Sequence, residues 1–323
     1  MTNGSDRNGF LSAQHVLPPV GLIDKFIHYP NKAGGGFAAS AALLLAKLRI
    51  KRFDSVFYLM PRVRTVTQMY RDERFFRLAG IKECLGFEYA RSKWLSTKCG
   101  HPSPVLERDA EYLLDVVRSS GINVPTNAIE DTDLLLSEAE QGAAETFIEE
   151  QVLSGLDGRR LIGISPGSKW PSKVWPIDRY IAVLQRLVAD ENVFPVITGG
   201  PDDRHAGELI VDRCGIGAVA AGSLSVRETA ALLGRCEMFL GNDSGPMHLA
   251  AAMGTPCVAI FAAIDWAGAW YPFGNSNTVF RRNVECEGCR VPHCHNDALC
   301  LKLIEPEEVV SACKDTLRRN CDK

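Results

Sequence analysis

Residues 238–261 carry the sequence MFLGNDSGPMHLAAAMGTPCVAIF, in which two short apolar runs flank a polar turn and an alanine-rich run. The pattern predicts a strand over 238–240, a helix over 246–253 and a strand over 257–261. Pro246 suits the first turn of a helix, where its missing N–H costs no hydrogen bond, and Gly254 ends the helix. This order of elements is a β-α-β unit.

The same alternation extends back to residue 161. The predicted strands cover 161–165, 193–198 and 217–221, and the predicted helices cover 177–189, 202–214 and 225–234. Ser225 and Glu228 fit a capping box at the start of the last helix. Repeated β-α units form a parallel, doubly wound sheet with helices on both faces, so we predict an α/β domain over 151–323.

The N-terminal half contains fewer recognisable elements. Its pattern predicts a helix over 37–49, a strand over 55–60 and a helix over 108–119. One strand with flanking helices does not complete a doubly wound sheet. Either the N-terminal domain, over 1–150, is small or it lacks its first elements. The acidic stretch 127–150 is predicted to include the passage between domains.

Composition narrows the classes of function. The chain has 323 residues and a formal net charge of -3, which argues against nucleic-acid binding, because clustered Lys and Arg drive that binding. The uncharged run 244–264 is broken by prolines and glycines and predicts no bilayer span. The polar N-terminus does not resemble a secretory signal, so we expect a cytoplasmic location with reduced or metal-bound cysteines.

The junction after the strand at 238–240 is the first of three candidate ligand loops. Asp243 or Ser244 can cap the following helix, Gly245 lets a ligand approach the backbone, and the helix N-terminus attracts a diphosphate. The alternative is a well-capped turn in which His248 is an ordinary helix residue.

Two further loops follow predicted strands. The loop 165–176 offers the Ser168 hydroxyl and the Lys169 and Lys173 cations to a phosphate. In the loop 198–203, Asp202 can accept hydrogen bonds from a ribose. The alternatives are a solvated basic turn and a common Gly-Gly-Pro turn. Because all three loops occupy the carboxyl ends of parallel strands, together they predict one nucleoside-diphosphate crevice.

Several motifs resemble glycosyltransferase family 9, the heptosyltransferase family. They are Pro166-Gly-Ser168 with Lys173-Val-Trp-Pro176, Gly199-Gly-Pro-Asp202, and Asp243-Ser-Gly-Pro-Met-His248 before an alanine-rich helix. The resemblance implies a GT-B-like α/β fold with two Rossmann-like, doubly wound domains, of which the N-terminal acceptor domain is incomplete. It also implies inverting transfer of a sugar, in many members heptose from ADP-heptose, to the lipid A core of lipopolysaccharide, without a metal cofactor and at the inner face of the inner membrane.

The resemblance also implies roles for individual residues. Ser168 and Lys173 would bind the donor diphosphate, Asp202 the ribose, and Asp243, Ser244, Gly245 and His248 the sugar-phosphate region. Family members begin with a strand and a Leu-Gly-Asp turn, whose aspartate is proposed to deprotonate the acceptor. No such turn precedes residue 17, and Asp24 has the context of a peripheral position, so the catalytic base is unknown.

Two arginines follow the predicted strand at 55–60. Arg62 and Arg64 could bind an anionic acceptor, because a guanidinium matches the geometry of phosphate and carboxylate. The alternative is a solvated basic loop.

A cysteine-rich loop lies at 286–300. The spacing of Cys286, Cys289, Cys294 and Cys300 suits a structural zinc or an iron-sulfur group, with four thiolates closing a tetrahedral site. Reduced thiols and a disulfide remain alternatives. A zinc with four protein ligands would hold the loop and would not activate water.

Three functions follow from these observations. The first is a metal-independent, inverting glycosyltransferase of lipopolysaccharide assembly. The absent N-terminal aspartate also admits a catalytically inactive protein that binds a nucleotide sugar. The third is a nucleotide-sugar epimerase of the same fold, which would convert a donor without any acceptor.

Overall fold

The computed structural model of the chain describes residues 2–3, 13–18, 21, 23–29, 37–60, 62, 64–94, 105–125 and 132–321. These residues belong to two compact units. The first comprises 1–98 and 107–131, and the second comprises 99–106 and 132–323. None of the described helices is both long and apolar enough to cross a bilayer.

The first unit is small and mostly helical. Its elements are β1 (Thr2–Asn3), β2 (His28–Tyr29), α1 (Phe37–Lys51), β3 (Ser55–Phe57), α2 (Val66–Leu78), β4 (Glu83–Leu85), α3 (Phe87–Ser92) and α4 (Asp109–Ser119). The strands form two parallel pairs, β1 with β2 and β3 with β4. The predicted strand is therefore shorter than expected, and it has a partner in β4 that the sequence pattern did not indicate.

Local sequence explains where the helices of this unit begin and what they cover. Thr65 caps α2 in a capping box with Gln68. The buried side chains of Tyr58 and Phe87 stack with ring centroids 4.1 Å apart. They cover one side of the short β3–β4 pair.

The second unit contains the larger sheet. Its elements are α5 (Glu138–Gln151), α6 (Leu153–Leu156), β5 (Arg160–Ser165), α7 (Ile177–Glu191), β6 (Val193–Ile197), α8 (Arg204–Cys214), β7 (Ala218–Val219), α9 (Val226–Leu233), β8 (Met238–Asn242), α10 (Gly245–Ala252), β9 (Cys257–Phe261), β10 (Thr278–Arg281), α11 (Leu299–Lys302) and α12 (Pro306–Cys321). The predicted alternation of strands and helices from 161 to 261 is confirmed, and so is the capping box of Ser225 and Glu228.

The six strands of this sheet are all parallel, in the order β10-β9-β8-β5-β6-β7. Strands β5, β6 and β7 proceed in one direction across the sheet, and β8, β9 and β10 proceed in the other. The order therefore reverses between β5 and β8. In open parallel sheets the crevice at such a reversal is where ligands bind, outside the carboxyl ends of the strands.

The two units divide at residues 131 and 132, whereas the sequence pattern predicted a boundary at 150. The difference arises from α5, because most of this helix lies within the acidic stretch 127–150 that is predicted to include the passage between domains. Ser137 caps this helix in a capping box with Glu140. Glu140 also pairs with the buried Arg227 of α9, at 2.6 Å from Oε1 to Nε. This contact attaches α5 to the second unit.

Candidate functional site

A lysine and an aspartate meet at the reversal of strand order. Lys173 lies in the loop after β5, and Asp243 directly follows β8. The Lys173 Nζ atom lies 2.5 Å from Asp243 Oδ2, and the two side chains are only 18% and 8% exposed. The structure thus joins the first and second predicted loops through one charged pair at the carboxyl edge of adjacent strands.

Asn242 holds the β5 loop against β8. Its side chain is fully buried, and its Nδ2 donates to the carbonyl of Pro166 at 2.6 Å. Its Oδ1 accepts from the backbone N–H of Trp175 at 3.2 Å and from the hydroxyl of Tyr180 at 2.9 Å. Both ends of the loop that carries Lys173 are therefore attached to one side chain.

The sequence pattern assigns no role to Asn242. It lies two residues beyond the strand predicted at 238–240. The structure extends this strand to Asn242, and a buried amide side chain must find hydrogen-bond partners. Only the structure identifies those partners.

The start of α10 directly follows Asp243 and adds further polar groups close to it in the chain. The Ser244 Oγ atom is buried and has no hydrogen-bond partner in the described part of the chain. A Cβ atom added at Gly245 would meet no atom within 4 Å, so there is open space at the first turn of the helix. The backbone N–H groups of this turn are available to an anion.

His248 lies one turn further along α10. More than a third of its surface is open to solvent, yet neighbouring protein atoms desolvate the ring and lower its pKa below the usual value. Asp243 opposes this lowering of the pKa and Lys173 adds to it, so the ring is within electrostatic reach of both members of the charged pair. A neutral imidazole can both donate and accept a hydrogen bond.

The loop after β6 carries two aspartates with different surroundings. Asp202, the predicted ribose ligand, is 86% exposed, and its Oδ2 lies 3.4 Å from Lys169 Nζ. Asp203 is turned inward, where its Oδ2 accepts from the N–H of Gly200 at 2.8 Å. Burial raises the pKa of Asp203.

The inward carboxylate links two of the candidate loops. A Cβ atom at Gly167 would lie 1.9 Å from Asp203 Oδ1, so only glycine fits in the β5 loop at this point. Asp203 thus braces the loops, and Asp202 is the carboxylate that a ligand can reach. Ser168 is half-buried in the same β5 loop, where its hydroxyl accepts from the N–H of Trp170 at 3.4 Å.

Arg62 and Arg64 belong to the first unit, and the structure gives Arg62 a local role there. The Arg62 side chain is only 6% exposed and lies 3.3 Å from Glu107 and 3.5 Å from Asp109. Its guanidinium also lies over the ring of Tyr112. Arg62 is therefore neither a solvated residue nor a cation free to bind an acceptor, whereas Arg64 is more exposed, at 3.9 Å from Asp72.

The cysteine-rich loop has the four thiols in their free form. No disulfide joins any of the nine cysteines whose side chains are described. Within those same described residues, no group of three or more His, Cys, Asp or Glu residues is arranged to hold a metal ion. Burial, together with the nearby Cys286 and Cys294, raises the pKa of the Cys300 thiol. A bound zinc remains a prediction.

Comparison with known proteins identifies the family of this chain. The model of glycosyltransferase family 9 (heptosyltransferase) matches residues 72–299, more than half of the chain. Lipopolysaccharide heptosyltransferase 3 of Escherichia coli is 32% identical over 127 residues, which cover 38% of this chain and 37% of that protein. Lipopolysaccharide core heptosyltransferase OpsX of Haemophilus influenzae is 25% identical over 267 residues, covering 80% of this chain and 68% of that protein. Three of the relatives are matched over only 31% to 37% of their own length.

Solved structures show the same fold. A glycosyl transferase family 9 protein from Veillonella parvula has a TM-score of 0.68 at 22% identity, over 95% of this chain and 86% of that chain. The Escherichia coli ADP-heptose lps heptosyltransferase II has a TM-score of 0.58 at 22% identity, over 90% and 83% of the two chains. The predicted GT-B-like α/β architecture is confirmed. Since the family model matches across both units, the chain belongs to glycosyltransferase family 9, the heptosyltransferase family.

Proposed function

We propose that this chain transfers a sugar from a nucleoside-diphosphate donor to a lipopolysaccharide-type acceptor. The names of the relatives favour heptose as the sugar and ADP-heptose as the donor. The observation that carries the proposal is the Lys173–Asp243 pair at the reversal of strand order, with the open first turn of α10 beside it. A diphosphate binds well where a cation and free backbone N–H groups converge.

The same groups would assist the reaction. When the bond between the anomeric carbon and the diphosphate breaks, negative charge grows on the leaving oxygen. Lys173 and the N–H groups of α10 would stabilise that charge, and Asp243 would keep the ammonium in place. We assign Ser244, Gly245 and His248 to the sugar-phosphate region, Ser168 to the diphosphate and Asp202 to the ribose.

We propose an inverting displacement that uses no metal ion, with Lys173 neutralising the diphosphate. The base that deprotonates the acceptor is not assigned. Two other functions use the same crevice: nucleotide-sugar binding without turnover, and epimerisation of the donor. Each of them makes a different prediction about what happens to a donor with and without acceptor.

The first experiment measures binding of ADP, UDP and GDP by calorimetry. Lys173→Met should weaken binding of the preferred nucleotide roughly tenfold to a hundredfold, because a charge-assisted hydrogen bond contributes about 1.5–3 kcal/mol. The matched control is Lys314→Met. Lys314 is a half-buried lysine of α12, outside the crevice, and its Nζ atom lies 2.7 Å from the carboxylate of Asp190 on α7. Equal affinity of the wild-type chain and Lys173→Met would reject the proposed crevice.

The second experiment follows ADP-heptose by NMR with and without heptose-deficient lipopolysaccharide. Transfer requires that the donor is consumed only when the acceptor is present, with ADP and an extended glycan as products. Conversion of the donor alone would identify an epimerase. Binding without conversion in either mixture would identify a nucleotide-sugar binding protein.

We further propose a cytoplasmic location and peripheral contact with the membrane that carries the acceptor. Helix α1 supports this, because it exposes Leu43 (72%) and Ile50 (80%) and contains no acidic residue. Lys47 and Lys51 are exposed beside them and would attract anionic lipids.

Sedimentation with phosphatidylglycerol vesicles tests the membrane contact. Leu43→Ser with Ile50→Ser should reduce the bound fraction several-fold, whereas Leu209→Ser on α8 should not. Failure of the wild-type chain to bind these vesicles would contradict the proposal.

A further inference from the structure

The loop that carries Lys173 has a second attachment besides Asn242. Ser172 is 3% exposed, and its hydroxyl donates to the carbonyl of Val291 at 2.6 Å. Its backbone N–H donates to the carbonyl of Pro292 at 3.0 Å. Both acceptors belong to the cysteine-rich loop 286–300, so this loop contacts the residue immediately before Lys173.

The cysteine-rich loop is itself fixed to the carboxyl end of β9. The N–H of Gly288 donates to the carbonyl of Ala263 at 2.8 Å, and the N–H of Arg290 donates to that of Ile264 at 3.0 Å. The Arg290 side chain pairs with Asp265 at 2.9 Å and stacks on the ring of Trp266. Ser172 thus connects the β5 loop, through the cysteine-rich loop, to the strand next to β8.

These contacts limit where the backbone of Lys173 can lie. Pro171, Ser172 and Lys173 form a single 3-10 turn, in which the Lys173 N–H donates to the carbonyl of Trp170 at 2.8 Å. A shift of Ser172 therefore moves the Cα atom of Lys173 with it. The ammonium lies 2.5 Å from Asp243, and a displacement of about 1 Å is enough to weaken a charge-assisted contact.

We propose that Ser172 is a positioning residue, which holds Lys173 in place for the donor diphosphate by attaching its loop to the cysteine-rich loop. The inference rests on the proposed function of the crevice. It gives the loop 286–300 a role in donor binding that does not depend on a bound metal.

A double-mutant cycle tests whether Ser172 acts through Lys173. Binding of ADP, UDP and GDP is measured for the wild-type chain, Ser172→Ala, Lys173→Met and the double variant. Ser172→Ala should weaken binding of the preferred nucleotide roughly three- to tenfold in the wild-type background, the effect of one buried hydrogen bond. In the Lys173→Met background the same substitution should change the affinity less than twofold.

Two further variants separate positioning from general destabilisation. Ser172→Cys keeps the shape of the side chain with a weaker donor, and should give a smaller loss of the same kind. Thr255→Val removes an equally buried hydroxyl, which donates to the Leu233 carbonyl at 2.7 Å. Thr255 precedes β9 and therefore lies at the amino end of the strands, whereas the crevice lies at their carboxyl ends. This control should leave nucleotide affinity unchanged.

The outcomes are distinguishable. A loss from Ser172→Ala that is equal in both backgrounds would show that Ser172 does not act through Lys173, and would overturn the inference while leaving the proposed function intact. The inference also fails if Ser172→Ala binds like the wild-type chain. If the wild-type chain binds none of the three nucleotides, the proposed function fails and the inference fails with it.

Discussion

At the scale of single residues, Asn242 explains how a loop of eleven residues between β5 and α7 is kept in one position. Its side-chain amide nitrogen donates to the Pro166 carbonyl, and its amide oxygen accepts from the Trp175 N–H and the Tyr180 hydroxyl. A buried polar side chain stabilises a fold when all its partners are satisfied, and its loss leaves those partners unpaired. Asn242 therefore connects the stability of the unit with the geometry of the site.

We predict that Asn242→Leu lowers the free energy of unfolding by about 2–4 kcal/mol, because three buried polar groups lose their partner. Urea denaturation measures this change. Tyr180→Phe is the matched comparison, since it removes only one of the three hydrogen bonds and should cost about 1 kcal/mol. If Asn242→Leu costs no more than Tyr180→Phe, the hydrogen bonds of Asn242 to Pro166 and Trp175 do not stabilise the fold as described.

At the scale of elements, the pairing of α5 with α9 shows how the second unit extends beyond its sheet. The Arg227 guanidinium is almost completely buried, and it also donates to the carbonyls of Leu134 and Leu135 at 3.0 and 2.9 Å. The hydrogen bond from Arg227 is the largest cause that lowers the pKa of Glu140, from 4.5 to about 2. Helix α5 is thus attached to α9 by an ion pair, in which the Glu140 carboxylate remains ionised in mild acid.

This lowered pKa gives the stability a defined dependence on pH. Because the carboxyl group binds protons more weakly in the folded chain, its contribution is complete above pH 4.5 and is lost as the pH falls from 4.5 towards 2. Glu140→Gln should lower the free energy of unfolding at pH 7 by roughly 1–3 kcal/mol and reduce its acid dependence in that window.

The control is Glu145→Gln, which breaks the exposed pair with Arg235 and should change the free energy of unfolding very little. Urea unfolding of the wild-type chain and both variants at pH 3 to 7 measures these changes. If the free energy of unfolding of Glu140→Gln depends on pH in the same way as that of the wild-type chain, the stabilising role of Glu140 is contradicted.

At the scale of the whole molecule, the second unit contains its own core and all the residues assigned to the donor. Its buried cluster includes Ile162, Leu184, Leu240, Ile260 and Val309.

We predict that a fragment of residues 132–323 unfolds cooperatively and binds the same nucleotide as the full chain, within about tenfold in affinity. The missing Leu106, which donates to the Ala267 carbonyl at 2.8 Å, should cost some stability. A fragment that shows no cooperative unfolding, or that folds without binding when the full chain binds, would contradict this prediction.

The order of elements from 161 to 261 could be predicted from the sequence, because each strand and helix there has a local signal. Apolar runs with β-branched residues indicate the strands, and Ser225 with Glu228 indicates a helix start. Such signals act over a few residues and do not require knowledge of the rest of the fold. Helix α5 was not predicted, because its acidic composition resembles a linker and its partner Arg227 is distant in the sequence.

The sequence by itself determined the fold class, the family and the three loops at the carboxyl edge of the sheet, since parallel strands place successive loops at one edge. Tertiary structure alone decided that Lys173 meets Asp243, that Asn242 and Ser172 hold the loop between them, and that Arg62 is committed to local carboxylates. The physical reason is that strand order, side-chain direction and long-range hydrogen bonding arise only when distant segments pack together. No local pattern specifies them.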